Sequence, residues 1–217
     1  MKIVFSLGGS VIVPGDIDSK FIKDFSNFIK RIAKKYKISI VCGGGSTARK
    51  YIASVPQLDD ISKHEIAIKA THLNAMLIAK LVKGKFSEEA PEKIAKGINK
   101  ELIVSGGYKP GWTTDVDATI IAKEAKADLL INVTNVNYVY DSDPKINKGA
   151  KKIERIKWDE FLKLPAMQPG PGAHFVFDLE AAKICQKAKI KVVVVGKDIK
   201  NIENLIEGKK FEGTLIE

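Results

Sequence analysis

Three apolar runs in this chain end abruptly in glycine turns, and no other feature restricts the fold as strongly. Residues 2–7 (KIVFSL) stop at Gly8-Gly9, residues 38–42 (ISIVC) at Gly43-Gly44-Gly45, and residues 101–105 (ELIVS) at Gly106-Gly107. Short apolar runs without alternation predict strands buried on both faces, as in a parallel sheet. Ligands of open α/β sheets bind outside the carboxyl ends of such strands. Glycine lets backbone N–H groups approach an anion closely, and a helix N-terminus adds partial positive charge. A lone glycine pair after a strand is often only a tight turn. Three of them at comparable strand ends predict a phosphate-binding site.

The remaining pattern fills in the layers. Asp18 or Ser19 caps a helix running to about Tyr36, with Phe21, Phe25, Phe28 and Ile32 on one face. A short helix follows the triple glycine and is stopped by Pro56. Ser62-x-x-Glu65 reads as a capping box that opens a long helix to about Val82, with Ile66, Ala70, Leu73, Leu77 and Leu81 facing the core. Residues 83–100 are polar, with a short helix expected around 91–95. Thr114-x-x-Asp117 caps a helix to about Ala127, and residues 128–134 (DLLINVT) form a fourth strand. Residues 136–157 read as a loop excursion, 158–163 as a short helix and 165–173 as a Pro/Gly-rich loop. A helix over 178–188, a strand over 191–196, a helix near 199–207 and a strand near 213–216 complete the chain. Strands alternate with helices throughout, so the class is α/β with a mostly parallel central sheet. No linker or repeat is visible, and residues 1–217 read as a single domain.

The formal charge is +10, carried by 33 lysines against 3 arginines. A nucleic-acid face would cluster Arg and Lys with aromatics. Here Lys is spread along the predicted helices, as at Lys20, Lys23, Lys30, Lys34 and Lys35, so solvated helix faces account for it and no specific nucleic-acid partner is expected. No apolar run approaches the ~20 residues of a membrane span. The N-terminal run is broken by Gly8-Gly9 and no small-residue cleavage site follows, so it reads as a strand of a cytoplasmic protein. Cys42 and Cys185 stand outside any CxxC and read as small buried hydrophobes.

The familiar nucleotide motifs are missing. Gly106 and Gly111 have the separation of a P-loop, but Trp112 stands where its Lys is needed. No G-x-G-x-x-G opens a helix, and the kinase HRD and DFG elements and the serine nucleophile elbow are absent. Arg49 lies four residues beyond the triple glycine, on the first turn of the next helix, where a guanidinium can clamp a phosphate with two hydrogen bonds. Thr113-Thr114-Asp115 occupies another helix start. Its hydroxyls and N–H groups suit a phosphate, whereas Asp115 needs a lysine or Mg²⁺ between itself and one. For Asp117, plain helix capping suffices.

The segments SLGGSV (6–11), VCGGGSTARKYI (41–52), THLNAMLIA (71–79), SGGYKPGWTTDVDA (105–118), ADLLINVTNVNYVYDSDP (127–144) and DLEAAKI (178–184) resemble the amino acid kinase superfamily and, within it, the archaeal-type UMP kinases. The matches run from one end of the chain to the other. The resemblance implies a three-layer αβα sandwich with an acceptor-binding N-terminal half and an ATP-binding C-terminal half. It implies transfer of the γ-phosphoryl of ATP to UMP with Mg²⁺, by an enzyme that commonly assembles as a homohexamer. It places Gly9, Ser10, Gly45 and Arg49 at the phosphates, and makes Asp115 the acid that orders the active-site charges. It puts Gly44, His64, Tyr108, Lys109, Pro110, Gly111, Trp112, Thr113 and Thr114 around UMP. Thr134, Asn135, Tyr140 and Asp143 would hold ATP. Such a transfer needs positioning and charge neutralisation rather than a covalent nucleophile, since UMP brings its own attacking oxygen.

The chain also departs from the pattern. Many relatives place Lys where Ser6 stands, which passes the charge burden to Mg²⁺, Arg49 and another lysine, with Lys183 and Lys197 as candidates. His64 occupies the place of an acceptor-binding Asp, His72 that of an Arg, and Asn137-Tyr138 that of Asp-Gly. Two other readings stay open: a kinase acting on a carboxylate, carbamate or isopentenyl phosphate, and a non-catalytic nucleotide- or oxyanion-binding protein of the same fold.

Overall fold

In chain order the elements are β1 (Lys2–Leu7), α1 (Gly9–Ile12), α2 (Ser19–Ile32), β2 (Lys37–Cys42), α3 (Gly45–Ala53), α4 (Asp60–Val82), β3 (Lys85–Ser87), α5 (Pro91–Gly97), β4 (Ile103–Ser105) and α6 (Thr114–Ala125). They continue with β5 (Leu129–Val133), β6 (Val139–Tyr140), β7 (Lys152–Ile153), β8 (Arg155–Ile156), α7 (Trp158–Phe161), α8 (Leu179–Ala188), β9 (Val192–Val195), α9 (Ile199–Ile206) and β10 (Thr214–Ile216). They come from a computed structural model that describes residues 1–142, 144, 147–167 and 176–217.

Eight strands form one sheet in the order β3-β4-β2-β1-β5-β9-β10-β8. Every pairing in it is parallel except β9 with β10, which is antiparallel. Alternate residues of β1 enter opposite layers, as the two-residue period of a strand requires. Ile3, Phe5 and Leu7 pack with α2, α4 and α9 on one face, and Val4 packs with α5, α6 and α8 on the other. Phe25 of α2 meets Phe5 edge-on at 5.7 Å, and Phe21, Phe25, Phe28 and Ile32 are all buried, as their spacing predicts. The αβα sandwich of the sequence reading is therefore present.

Four details differ. The loop expected over 136–157 contains the antiparallel pair β6–β7 and the edge strand β8, each only two residues per strand and too short to leave a periodic signal. Strand β3 emerges within the polar stretch after α4, and the four-residue α1 follows β1 directly. Helix α4 opens at Asp60, because Asp59 rather than Ser62 is its cap: Ser62 N–H donates to Asp59 Oδ1 at 3.0 Å. Of the α4 face that reads as core, Ala70 is buried and Ile66 half-buried, but its three leucines point outward. Leu73 is 62% exposed, and Met76, Leu77 and Leu81 are also exposed, while Ala70, Thr71, Asn74, Ala75, Ile78, Ala79 and Val82 are buried. Small residues on the inner face let the helix lie close to the sheet, so the leucines are left outside.

Candidate active site

The chain runs from β1 to β2 on one flank of the sheet, and β5 lies against β1 on the other. That reversal creates a crevice at the carboxyl ends of the central strands, where α/β sheets bind ligands. Gly8 N–H donates to Val133 O at 2.9 Å, which ties the first glycine turn to the end of β5. The first two turns then interlock backbone against backbone. A Cβ on Gly9 would overlap Gly45 N, and one on Gly43 would overlap Gly9 N. Gly45 itself sits at φ +62°, in the left-handed region. Only glycine permits this approach, which brings the starts of α1 and α3 together at the crevice.

The third turn is held by α4. Gly107 N–H donates to Thr71 Oγ1 at 2.7 Å, and Gly107 O lies 2.8 Å from His72 Nε2. A Cβ on Gly106 would overlap Thr71 Oγ1. Asn74 Nδ2 donates to Gly43 O at 2.8 Å, so neighbouring turns of one helix hold two of the three glycine loops. Thr71 and Asn74 carry no functional expectation from the sequence. Their signal is polarity on an inward helix face. His72 faces the glycine turn with one nitrogen and has Glu88 Oε1 3.4 Å from the other.

Beyond Gly107 the chain crosses the outside of α4. Gly111 N–H donates to His64 Nδ1 at 3.1 Å, so His64 holds the segment predicted to wrap the acceptor. Within that segment Lys109 Nζ lies 3.9 Å over the Trp112 ring, and the Tyr108 and Trp112 rings lie 6.4 Å apart. Tyr108, Lys109, Pro110 and Gly111 are exposed, which leaves them available to a ligand. Thr113 caps α6, its Oγ1 accepting from Val116 N–H at 3.4 Å. Thr114 is therefore the first helical residue and not the cap.

Two aspartates of α6 behave differently from a capping pair. Ser6 Oγ donates to Asp115 Oδ1 at 2.6 Å, and Asp178 N–H donates to Asp115 Oδ2 at 3.1 Å. Burial pushes the Asp115 carboxyl up to about 6, against the pull of those two hydrogen bonds. Asp117 is only 1% exposed and is not a cap. Its Oδ2 accepts from Tyr108 N–H at 3.2 Å, while its Oδ1 has no hydrogen-bond partner. Burial pushes it up to about 7.

A cavity of about 360 Å³ opens beside the interlocked turns, lined by Ser10, Val11, Pro14, Arg49, Asn135, Asn137 and Lys197. Arg49 stands on the second turn of α3, which begins at Gly45, and is exposed. Ser10, Arg49 and Asn135 thus line one cavity, with Gly9 and Gly45 in the adjoining backbone. Thr134 N–H donates to Val195 O at 2.9 Å, and its Oγ1 donates to Asn135 Oδ1 at 3.4 Å. Tyr140 sits on β6 and does not line this cavity. Asp143 lies outside the described residues, as do residues 168–175 of the Pro/Gly-rich loop. Lys183 pairs with Glu180 on the exposed side of α8, away from the cavity. Asn137, which sequence reading treats only as a departure in a turn, contributes to the lining.

A family model described as "Amino acid kinase family" matches residues 1–196. The chain belongs to the amino acid kinase family. Among curated members, it is 39% identical to the uridylate kinase of Thermococcus kodakarensis over the whole of both chains. It is 36% identical to the uridylate kinase of Thermoplasma volcanium, covering 100% of this chain and 97% of the relative. Among solved amino acid kinase-like structures, uridylate kinase from Archaeoglobus fulgidus superposes with a TM-score of 0.87 at 35% identity, over 100% of each chain. UMP kinase from Ureaplasma parvum gives a TM-score of 0.82 at 29% identity, over 100% of this chain and 98% of that one. Among the described residues, no helix is long and apolar enough to cross a membrane.

Proposed function

We propose that this chain is a UMP kinase, transferring the γ-phosphoryl group of ATP to UMP to give UDP and ADP for pyrimidine nucleotide biosynthesis. One observation carries the reading. The GGYKPGWTTD segment is fastened to α4 through Gly107 and His64 and runs on into the start of α6, while a cavity at the interlocked glycine turns holds Arg49 and Ser10. A loop pinned to α4 yet exposed at Tyr108 to Gly111 suits an acceptor nucleotide, and a cavity with Arg49 and Lys197 in its lining suits the donor's phosphates. Full-length likeness to uridylate kinases supports the same substrate pair.

In the transfer, a phosphate oxygen of UMP forms the bond to the γ-phosphorus. The bond from that phosphorus to the β,γ-bridging oxygen breaks, and its electron pair leaves with ADP. Arg49, Ser10 and the N–H groups of the interlocked turns position and neutralise the transferring group. Asp115, held by Ser6 and Asp178 N–H, orders the charges at the start of α6. Asn135 and Thr134 hold the ATP side, with Tyr140 and Asp143 as further contacts of the C-terminal half. ATP is taken as its Mg²⁺ complex, the ion supplying positive charge that would offset the phosphates.

The enzyme works in the cytoplasm as a single-domain chain in a homohexamer. The apolar outer face of α4, with Leu73, Met76, Leu77 and Leu81 exposed, supports assembly. Coupled ADP release with UMP and a panel of other acceptors tests the reaction. UMP should be the preferred acceptor. Turnover of an amino-acid derivative with none on UMP, or nucleotide binding without turnover, would overturn the reading. Light scattering on the eluting protein should give six times the 23.8 kDa chain mass.

A further inference from the structure

Six negative charges meet in a reaction between ATP and UMP, and β1 brings an uncharged residue, Ser6, to the approach of the first glycine turn. Its hydroxyl is committed to Asp115 at 2.6 Å. The phosphate cavity contains two cations, Arg49 and Lys197, three residues with hydroxyl or amide donors, and no acidic side chain. We propose that Lys197 binds the phosphate chain of ATP and supplies the positive charge that Ser6 cannot. This rests on the kinase reading above and adds a residue to it.

The sheet fixes the place of Lys197. Strands β5 and β9 run parallel, and Thr134 N–H donates to Val195 O at 2.9 Å, so their carboxyl ends lie side by side. Lys197 follows Val195 by two residues and emerges next to the Thr134-Asn135 loop. Gly196 makes this possible, because a Cβ there would overlap Asn137 Oδ1. The cation is also oriented. Lys197 Nζ donates to Asp18 Oδ2 at 2.8 Å, while Asp18 Oδ1 accepts from Phe21 N–H at 2.9 Å as the cap of α2. A carboxylate already fixed by its helix therefore holds the ammonium at the cavity rim. An ammonium has three donors, and one serves Asp18. The other two are free for phosphate oxygens without breaking that pair. A cavity of about 360 Å³ accommodates a phosphate chain better than a whole nucleotide, which leaves the base and ribose outside it.

The experiment uses the full-length enzyme with Lys197→Met, Lys197→Arg and, as a control for general surface charge, Lys200→Met. Lys200 pairs with Glu203 and does not line the cavity. The Lys197–Asp18 pair is exposed on its lysine side, so its loss leaves folding intact. Two quantities are measured: steady-state kinetics with UMP and MgATP, and equilibrium binding of inorganic tripolyphosphate, which has the charge of the donor without its nucleoside. For Lys197→Met the expected result is roughly a tenfold or greater loss in both kcat and tripolyphosphate affinity, with KM for UMP unchanged within about twofold. Lys197→Arg should recover most of the tripolyphosphate affinity, and Lys200→Met should match the parent. Parent-like tripolyphosphate binding and kcat in Lys197→Met would overturn the proposal, as would an equal loss in Lys200→Met. A parent enzyme inactive on UMP would sink the kinase reading, and the tripolyphosphate comparison would still judge Lys197.

Discussion

Asp117→Asn should change how the stability of this protein depends on pH. Asp117 sits in the first turn of α6, almost fully enclosed, with one oxygen bonded to Tyr108 N–H and the other bonded to nothing. Burial is the largest influence on it. The Tyr108 N–H opposes burial, Glu92 of α5 adds to it, and Lys109 opposes it, leaving the carboxyl raised from 3.8 to about 7. Between those two values the folded protein holds a proton that the unfolded chain releases. Stability therefore falls as pH rises through that window and levels off above it. Between pH 4.5 and pH 8 the loss due to this one group is about 3 kcal/mol, at about 1.4 kcal/mol per unit of displacement. Asparagine keeps an acceptor for Tyr108 N–H and carries no charge to desolvate, so the variant escapes this loss. The assay is urea unfolding at several pH values and one fixed protein concentration, followed through the buried Trp158. The quantity of interest is the stability difference between the two proteins, because other titrating groups are common to both and cancel. That difference should move in favour of the variant by about 3 kcal/mol between pH 4.5 and pH 8. A difference constant within about 0.5 kcal/mol would show that Asp117 ionises in the folded protein as it does in the unfolded chain.

Arg49→Met should lower kcat/KM by roughly a hundredfold or more while leaving the unfolding midpoint unchanged, since the side chain is exposed and faces the phosphate cavity. His64→Ala removes the acceptor for Gly111 N–H, so KM for UMP should rise several-fold with KM for ATP unaltered; equal effects on both substrates would contradict a role in holding the acceptor loop. Leu77→Lys places a charge on the outer face of α4, and light scattering should find smaller particles with the secondary structure intact.

Some of this arrangement is legible in the residues and some is not, for identifiable reasons. The three apolar runs ending in glycine mark β1, β2 and β4, because buried parallel strands need no alternation and the turns need residues without a Cβ. The grouping of Ser10, Arg49 and Asn135 follows from the motifs, since each stands at or just beyond the end of a central strand. Asp117 reads as a cap because it stands three residues after Thr114, yet the cap of α6 is Thr113. The helix starts one residue earlier than that reading has it, and Asp117 lies inside its first turn as a buried carboxyl with no capping role. Lys197 stands out from 32 other lysines only when β5 and β9 are seen side by side, since the pairing that brings it to Asn135 joins residues far apart in the chain.

Helix α4 inverts the usual reading of an apolar period, and the inversion has a chemical cause. Its inner face must satisfy the backbone of two glycine turns, whose N–H and C=O groups are withdrawn from water and lie beyond the ends of the strand ladders. Thr71, His72 and Asn74 do this, bonding Gly107 N–H, Gly107 O and Gly43 O. A leucine at any of these positions would leave a buried carbonyl or N–H without a partner, at about 1–3 kcal/mol each. The larger apolar residues are thereby displaced to the opposite side, at Leu73, Leu77 and Leu81. A strict four-residue period of leucines marks an apolar surface, and it leaves open whether that surface meets the chain's own sheet or another molecule. On α4 the polar residues Thr71, His72 and Asn74 decide the matter, because the glycine turns they hold lie on the inner side of the helix, whereas Leu73, Leu77 and Leu81 are exposed.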